Sequence, residues 1–184
     1  MKRWLIAALC LLLLCPAAAL SEAHTVPTPP PPSLQNFTSV TLDGEAVDQT
    51  LWAEADLTLV NVWATYCQPC LSEMPDLGAL AAEYADSGVQ FVGVVSDAFT
   101  PELEIDEAQA ELAAQIVEAT GAAYTHLLPT ESLIYAALTD VAAVPTTFFV
   151  DAQGNRVGET YLGAKDAQAW REIIQETLAL LPQS

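Results

Sequence analysis

The stretch Trp63-Ala64-Thr65-Tyr66-Cys67-Gln68-Pro69-Cys70 lies between two segments of different periodicity. Before it, residues 57–62 form a nearly unbroken apolar run rich in β-branched side chains, which is typical of a buried strand. After it, apolar residues recur at helical spacing from Leu71 to Tyr84, and the pattern ends near Gly88. The two cysteines are therefore predicted to lie where a strand turns into a helix.

This position favours redox chemistry, because the unpaired N–H groups and the positive dipole end of a helix stabilise a thiolate. Cys67 is expected to ionise more readily than a free thiol, whose pKa is about 8.5. Cys70 lies close enough along the helix to form a disulfide with Cys67, and Pro69 fits the first helical turn. The pattern indicates a pair in which Cys67 attacks and Cys70 resolves. Half a zinc site and an inert structural disulfide are the alternatives, although the sequence adds no second CxxC and no His pair.

Two motifs together resemble one family. WATYCQPC followed by Glu73-Met74-Pro75 is similar to the active-site segment of the TlpA/ResA-type thioredoxin-like disulfide oxidoreductases, in which WxxWCxPC precedes xxEMPxL. Residues 144–154 resemble the cis-proline segment of that family, PTTFxIDxxG. The resemblance covers residues 36 to 181, and Tyr66 stands where the family usually has Trp. It implies a thioredoxin-like fold and thiol–disulfide exchange.

The resemblance also implies roles for residues near the cysteines. Glu73 matches an acid that helps manage the protons of the cysteines, with a solvated glutamate as the alternative. Asn61 stands where general thioredoxins carry a buried aspartate, and a neutral amide cannot act as the base for Cys70. Pro145 matches a cis-proline that leaves the backbone of Val144 free to pair with an extended substrate.

The side chains expected to face a substrate are Trp63, Tyr66, Gln68 and Pro69, with core packing as the alternative for Trp63. His126 is interpreted as a framework residue rather than a catalyst. The sequence contains no cofactor-binding motif, and none is expected because the electrons reside on sulfur.

The first residues predict export. A basic start at Lys2 and Arg3, an apolar run over residues 4–14 and small residues up to Ala19 form the layout of a signal peptide. Cleavage after Ala19 is expected; an uncleaved anchor and lipidation at Cys15 are the alternatives. Residues 20–36 include a run of four prolines and predict a linker, so the predicted domain spans residues 37–184.

Charge is the most unusual global feature. The chain has a formal net charge of −19, and all 24 acidic residues lie beyond Ala19, together with only three basic ones. Nucleic acid and anionic membrane surfaces repel such a chain. A solubilising surface is the simplest interpretation, and a basic partner is the alternative.

The remaining pattern predicts one α/β domain. The expected elements are a hairpin over 37–47, strands over 90–96, 126–128, 146–150 and 156–162, and helices over 107–120, 133–138 and 167–181. The predicted fold class is a thioredoxin-like central mixed sheet flanked by helices, with an N-terminal β-hairpin extension and an inserted helical segment.

The leading hypothesis is an exported, monomeric protein that reduces disulfides of other extracytoplasmic proteins. The resemblance implies that its electrons come from a membrane thiol transporter of the CcdA/DsbD kind. Cytochrome c maturation is one role of the family, although no residue in this sequence identifies that client. A disulfide-forming oxidase or isomerase is the alternative within the enzyme class. A non-enzymatic module holding Cu(I) on Cys67 and Cys70, with Met74 nearby, is the alternative outside it.

Overall fold

The computed structural model describes residues 33–182. The predicted signal peptide, the residues up to 32 of the predicted linker and the last two residues of the chain lie outside this range. The elements in chain order are β1 (Thr38–Thr41), β2 (Ala46–Asp48), a 3-10 helix (Gln49–Glu54), β3 (Leu57–Trp63), α1 (Gln68–Tyr84), β4 (Val89–Val95), α2 (Glu107–Thr120), β5 (Thr125–Leu128), α3 (Glu131–Leu133) continued by a π-helical turn (Ile134–Leu138), β6 (Thr146–Asp151), β7 (Arg156–Leu162) and α4 (Ala167–Leu178).

The strands form one seven-stranded sheet in the order β2-β1-β5-β4-β3-β6-β7. Strands β3, β4 and β5 are parallel, whereas the outer pairs are antiparallel. All seven residues of β3 are buried, as expected for a central strand covered on both faces. The prediction of a central mixed sheet flanked by helices is confirmed.

Alternation along β3 assigns the two faces of the sheet. Val60 and Val62 point into a core completed by Phe37, Trp52 and Phe148. Leu59 and Trp63 point to the opposite face, in cores that include residues of α1. Asn61 shares this second face, so a polar side chain lies beneath the helix that carries the cysteines.

Local signals explain where the helices begin and end. The side chain of Asp106 accepts a hydrogen bond from Gln109 N at the start of α2, and Gly121 ends that helix in the left-handed region with φ 68°. Gly78 lets α1 approach this turn, because a Cβ at Gly78 would collide with the Gly121 carbonyl. Asp166 caps α4 in the same way as Asp106 caps α2.

The structure differs from the sequence prediction in three places. The packed chain includes residues 33–36 before the predicted start at Phe37, because Leu34 is buried and its carbonyl accepts a 2.6 Å hydrogen bond from Trp52 Nε1. The 3-10 helix at Gln49–Glu54 was not predicted. Helix α4 ends at Leu178 rather than Leu181, although Leu181 still packs against the core.

Candidate active site

Cys67 and Cys70 form a disulfide at the N-terminus of α1, with an S–S distance of 2.03 Å. Cys67 is the N-cap residue, and its sulfur accepts a hydrogen bond from the backbone N–H of Cys70 at 3.2 Å. Cys67 is 6% exposed whereas Cys70 is 0% exposed. Cys67 is therefore the more accessible cysteine for an incoming protein, and the helix terminus supplies the donors that stabilise its thiolate.

Glu73 follows Cys70 by one helical turn and is buried beneath α1. Its Oε1 accepts a hydrogen bond from Asn61 Nδ2 at 3.0 Å. Its Oε2 accepts from the backbone N–H of Lys165 at 3.1 Å and from Trp170 Nε1 at 3.3 Å. Burial raises the pKa of the carboxyl, and these hydrogen bonds oppose that rise without cancelling it. The solvated glutamate that the sequence left open is thus excluded.

Asn61 links Glu73 to the strand that follows the cis-proline. Its Nδ2 also donates to Thr147 Oγ1 at 2.9 Å, while its Oδ1 is buried without a hydrogen-bond partner among residues 33–182. This orientation suits an ionised Glu73, which accepts but cannot donate. Asn61, which stands where general thioredoxins carry a buried aspartate, therefore lies in direct contact with Glu73.

The Val144–Pro145 peptide bond is cis, as the resemblance implied. The Pro145 carbonyl accepts from Gly163 N at 2.9 Å, whereas the Val144 backbone has no hydrogen bond within residues 33–182. Val144 also packs against the core cluster that contains both cysteines. A free backbone donor and acceptor therefore lie beside the disulfide, as a β-type pairing with an extended chain requires.

A groove with a volume of about 300 Å³ extends from Val144 along the face of the active site. Tyr66 forms one wall and is 73% exposed. The π-helical turn forms another wall, so the helical insertion lines the same groove as Tyr66, the residue before Cys67. The large apolar side chains of the lining are Tyr66, Phe99, Ile134, Leu138, Val141 and Val144.

Trp63 does not belong to this exposed surface, which corrects its prediction as a rim residue. It is 0% exposed, and its Nε1 donates to His126 Nδ1 at 3.1 Å. His126 Nε2 in turn donates to the Ala122 carbonyl at 3.0 Å, so the histidine is a neutral framework residue. Burial lowers the pKa of His126 to about 4. The remaining predicted rim residues, Gln68 and Pro69, are exposed at the start of α1.

Sequence reasoning missed a carboxylate that holds the loop before Cys67. Asp97 accepts hydrogen bonds from Thr65 N at 3.0 Å and from Thr65 Oγ1 at 2.7 Å. Gln109 of α2 donates to Asp97 at 3.0 Å and to Thr65 Oγ1 at 2.5 Å. The available signal was position, because Asp97 follows a parallel strand adjacent to β3, at the sheet edge where ligands of α/β folds collect.

Two further observations concern residues 33–182 only. No group of three or more His, Cys, Asp or Glu side chains is arranged there to hold a metal ion. The helices of this part are too short or too polar to cross a bilayer.

A disulfide at a helix N-terminus and a cis-proline bond before a strand of a mixed sheet together define a thioredoxin-like fold. The Redoxin family model matches residues 30–173, and the chain belongs to the Redoxin family. It is 42% identical over 67 residues to the thiol-disulfide oxidoreductase ResA of Oceanobacillus iheyensis, a match that covers 34% of each chain. It is 33% identical over 119 residues to the thioredoxin-like protein YneN of Bacillus subtilis, covering 65% of this chain and 64% of the relative.

Solved structures show the same fold. A thiol:disulfide interchange protein of the thioredoxin family from Chlorobium tepidum superposes with a TM-score of 0.64 at 27% identity, covering 83% of this chain and 99% of the other. These findings confirm the resemblance to ResA-type proteins that the two motifs indicated. The matches to the ResA relatives of Oceanobacillus iheyensis and Halalkalibacterium halodurans span only 34% and 38% of their lengths.

Proposed function

We propose that this protein is an extracytoplasmic thiol–disulfide oxidoreductase that reduces disulfides in other exported proteins. The observation that carries the proposal is the pairing of a barely exposed Cys67 and a fully buried Cys70 at the start of α1, beside the free backbone of Val144. The names of the ResA relative and of the thiol:disulfide interchange protein from Chlorobium tepidum support the same chemistry. The signal-peptide pattern in residues 1–19 supports export.

The exchange proceeds in two displacements. In the reduced protein, the Cys67 thiolate attacks one sulfur of a substrate disulfide, forming a mixed disulfide and expelling the other substrate sulfur as a thiolate. The Cys70 thiolate then attacks the Cys67 sulfur and expels the second substrate thiolate. Two electrons pass from the dithiol to the substrate, and the protein is left with the Cys67–Cys70 disulfide present in this structure.

Glu73 accepts the proton that Cys70 must lose before its attack. Cys70 is fully buried, so water has little access to its thiol, and Glu73 is the acid one helical turn beyond it. A carboxyl whose pKa burial has raised is better matched to a thiol than an exposed one. The raised pKa of Glu73 therefore helps it to accept the Cys70 proton in the second displacement.

The groove beside Val144 accommodates the substrate chain. An extended segment that pairs with the Val144 backbone places side chains against Tyr66, Phe99 and Leu138, so a large apolar residue near the substrate cysteine favours binding. The strong negative charge of the protein disfavours acidic segments at the same surface. Apolar and neutral or basic segments are therefore the preferred clients.

Regeneration requires an electron donor on the extracytoplasmic side. The family resemblance assigns this step to a membrane thiol transporter of the CcdA/DsbD kind, which would reduce the Cys67–Cys70 disulfide by the same two displacements in reverse. Cytochrome c maturation is one process in which such a reductant would serve. Reduction rather than oxidation is favoured because Gln68 and Pro69, between the cysteines, supply no cation to stabilise the thiolate strongly.

Insulin reduction tests the activity. Protein purified from cells expressing the full-length chain should accelerate precipitation of insulin chains in the presence of dithiothreitol, and Cys67→Ser should abolish the acceleration. Tyr66→Ala, which removes one wall of the groove but leaves both cysteines, should slow turnover by raising KM. A Cys67→Ser rate equal to that of the wild type would overturn the proposal.

A further inference from the structure

Within residues 33–182, groups from five different segments surround Glu73, and one of these groups is cationic. On α1 itself, Cys70 precedes it and Asp76 follows it. The Tyr124 hydroxyl before β5 is buried and has no hydrogen-bond partner in the described part of the chain; burial and the nearby Glu73 carboxylate raise its pKa, so it remains neutral. Asn61 of β3 and Trp170 of α4 contribute neutral donors. The cation is Lys165, from the loop between β7 and α4.

Lys165 contacts Glu73 through its backbone and is held near it through its side chain. The backbone N–H of Lys165 donates to Glu73 Oε2 at 3.1 Å. Its Nζ lies 5.5 Å from the centroid of the Trp170 ring and 5.7 Å from that of Tyr161. The Trp170 ring that holds the ammonium group also donates its Nε1–H to Glu73 Oε2 at 3.3 Å. Cation–π attraction thus holds the Lys165 ammonium group next to Trp170, which itself donates a hydrogen bond to Glu73.

The other two basic side chains beyond residue 19, Arg156 and Arg171, contact groups other than Glu73. Arg171 forms a salt bridge of 2.8 Å with Glu83 on the exposed side of α1. The guanidinium carbon of Arg156 lies 3.6 Å from the centroid of Phe148, whose ring belongs to the core on the opposite face of the sheet. Among residues 33–182, Lys165 is therefore the basic side chain whose charge is left to act on Glu73.

We propose that Lys165 is a positioning residue whose ammonium group sets the protonation state of Glu73, and through it the pH range in which Cys70 completes the exchange. The inference rests on the proposed role of Glu73. Lys165 makes no ion pair within 4.0 Å among residues 33–182. The ammonium group thus acts at a distance, through the field it exerts on a buried carboxylate, and does not neutralise Glu73 in a closed pair. A closed pair would hold the carboxylate permanently ionised, whereas a more distant cation leaves it able to accept and release the proton.

The titration of Glu73 in the oxidised protein tests the inference without relying on activity. Glutamate labelled with ¹³C at the carboxyl carbon gives one resonance for each residue, and Glu73→Gln identifies the resonance of Glu73. Lys165→Met, which keeps an unbranched apolar stem but removes the charge, should move the Glu73 midpoint to higher pH by about half a unit. Lys165→Arg should leave the midpoint near that of the wild type. Arg171→Met removes a cation that is paired with Glu83 at the surface and should also leave the midpoint in place.

Two results of this titration would overturn the inference. One is a Glu73 midpoint in Lys165→Met equal to that of the wild type. The other is an equal shift in Lys165→Arg and Lys165→Met, which would assign the effect to side-chain packing rather than charge. Circular dichroism of each variant checks that the fold is retained.

A separate readout tests the role of Glu73 on which the inference rests. Alkylation of the Cys67→Ala variant reports Cys70 alone, and its pH dependence should change when Glu73→Gln is added. If it does not, the proton role of Glu73 fails, while the carboxyl resonance still reports whether Lys165 acts on Glu73. If it does, Lys165→Met should move the same alkylation profile to higher pH, and an unmoved profile would contradict the proposal.

Discussion

Replacing Glu73 with glutamine should change how the stability of the protein depends on pH. Glu73 is 2% exposed, and burial raises the pKa of its carboxyl above the ordinary value of 4.5, against the lowering effect of its hydrogen bonds. The folded state therefore keeps a proton at pH values where the unfolded chain has lost it. The contribution of Glu73 to the free energy of unfolding consequently falls as the pH rises from 4.5 to the folded-state pKa.

The size of the effect follows from the pKa difference between the two states. Each unit by which the folded-state pKa exceeds the unfolded value costs the wild type about 1.4 kcal/mol once the pH lies above both. Glutamine has nearly the shape of the protonated acid and cannot ionise. The free energy of unfolding of Glu73→Gln minus that of the wild type should therefore be constant below pH 4.5 and increase above it.

Urea unfolding followed by tryptophan fluorescence, with the disulfide intact, measures this difference between pH 4 and pH 8. Glu111→Gln, which removes a carboxylate from the exposed face of α2, controls for the change in net charge. A difference between Glu73→Gln and the wild type that stays flat across this range, or that decreases with pH, would refute the reasoning. It would mean that the hydrogen bonds to Asn61, Lys165 and Trp170 fully compensate the burial of the charge.

Three further predictions concern the same core. Cys70→Ser should accumulate a mixed disulfide between Cys67 and a substrate protein, because no second thiol remains to release it; non-reducing electrophoresis would show it, and its absence would contradict the order of attack. Asn61→Asp places a second carboxylate where an amide now lies 3.0 Å from Glu73, and should lower the free energy of unfolding at pH 7 by about 3 kcal/mol, with recovery towards pH 4 as one acid is protonated. Gly93→Ala should lower the free energy of unfolding by about 2–3 kcal/mol, because its Cβ would collide with the His126 ring. This loss should be smaller when His126 is also replaced by alanine, and equal losses in both backgrounds would contradict the contact.

The sequence predicts well the features that depend on local periodicity. The apolar run of β3, the helical spacing after Leu71 and the Asp106 to Gly121 span of α2 each carry their own signals, and the structure confirms all three. The cis-proline at Val144–Pro145 came from resemblance rather than from physical reasoning. Burial of Glu73 follows from a helical face shared with Cys70, which spacing alone can reveal.

The features that were missed depend on contacts between distant parts of the chain. Trp63 can be buried because its indole N–H donates to His126, 63 residues further along the chain. Gly93, on the strand between them, has no Cβ and so leaves room for the His126 ring. Leu34 joins the core because Trp52 donates to its carbonyl, so a segment next to a proline run is packed. Asp97 holds the loop before Cys67, and the backbone N–H of Lys165 binds Glu73. Neither residue belongs to a periodic pattern that the sequence would reveal.

The reduction potential of the Cys67–Cys70 couple tests the central claim most directly. The purified protein would be equilibrated with dithiothreitol or glutathione buffers of known potential, and the fraction of free thiol would be measured after acid quenching and alkylation. A reductant of exported disulfides should give a value near that of thioredoxin, about −270 mV. A value near −120 mV would identify an oxidant and contradict the proposed direction of electron flow.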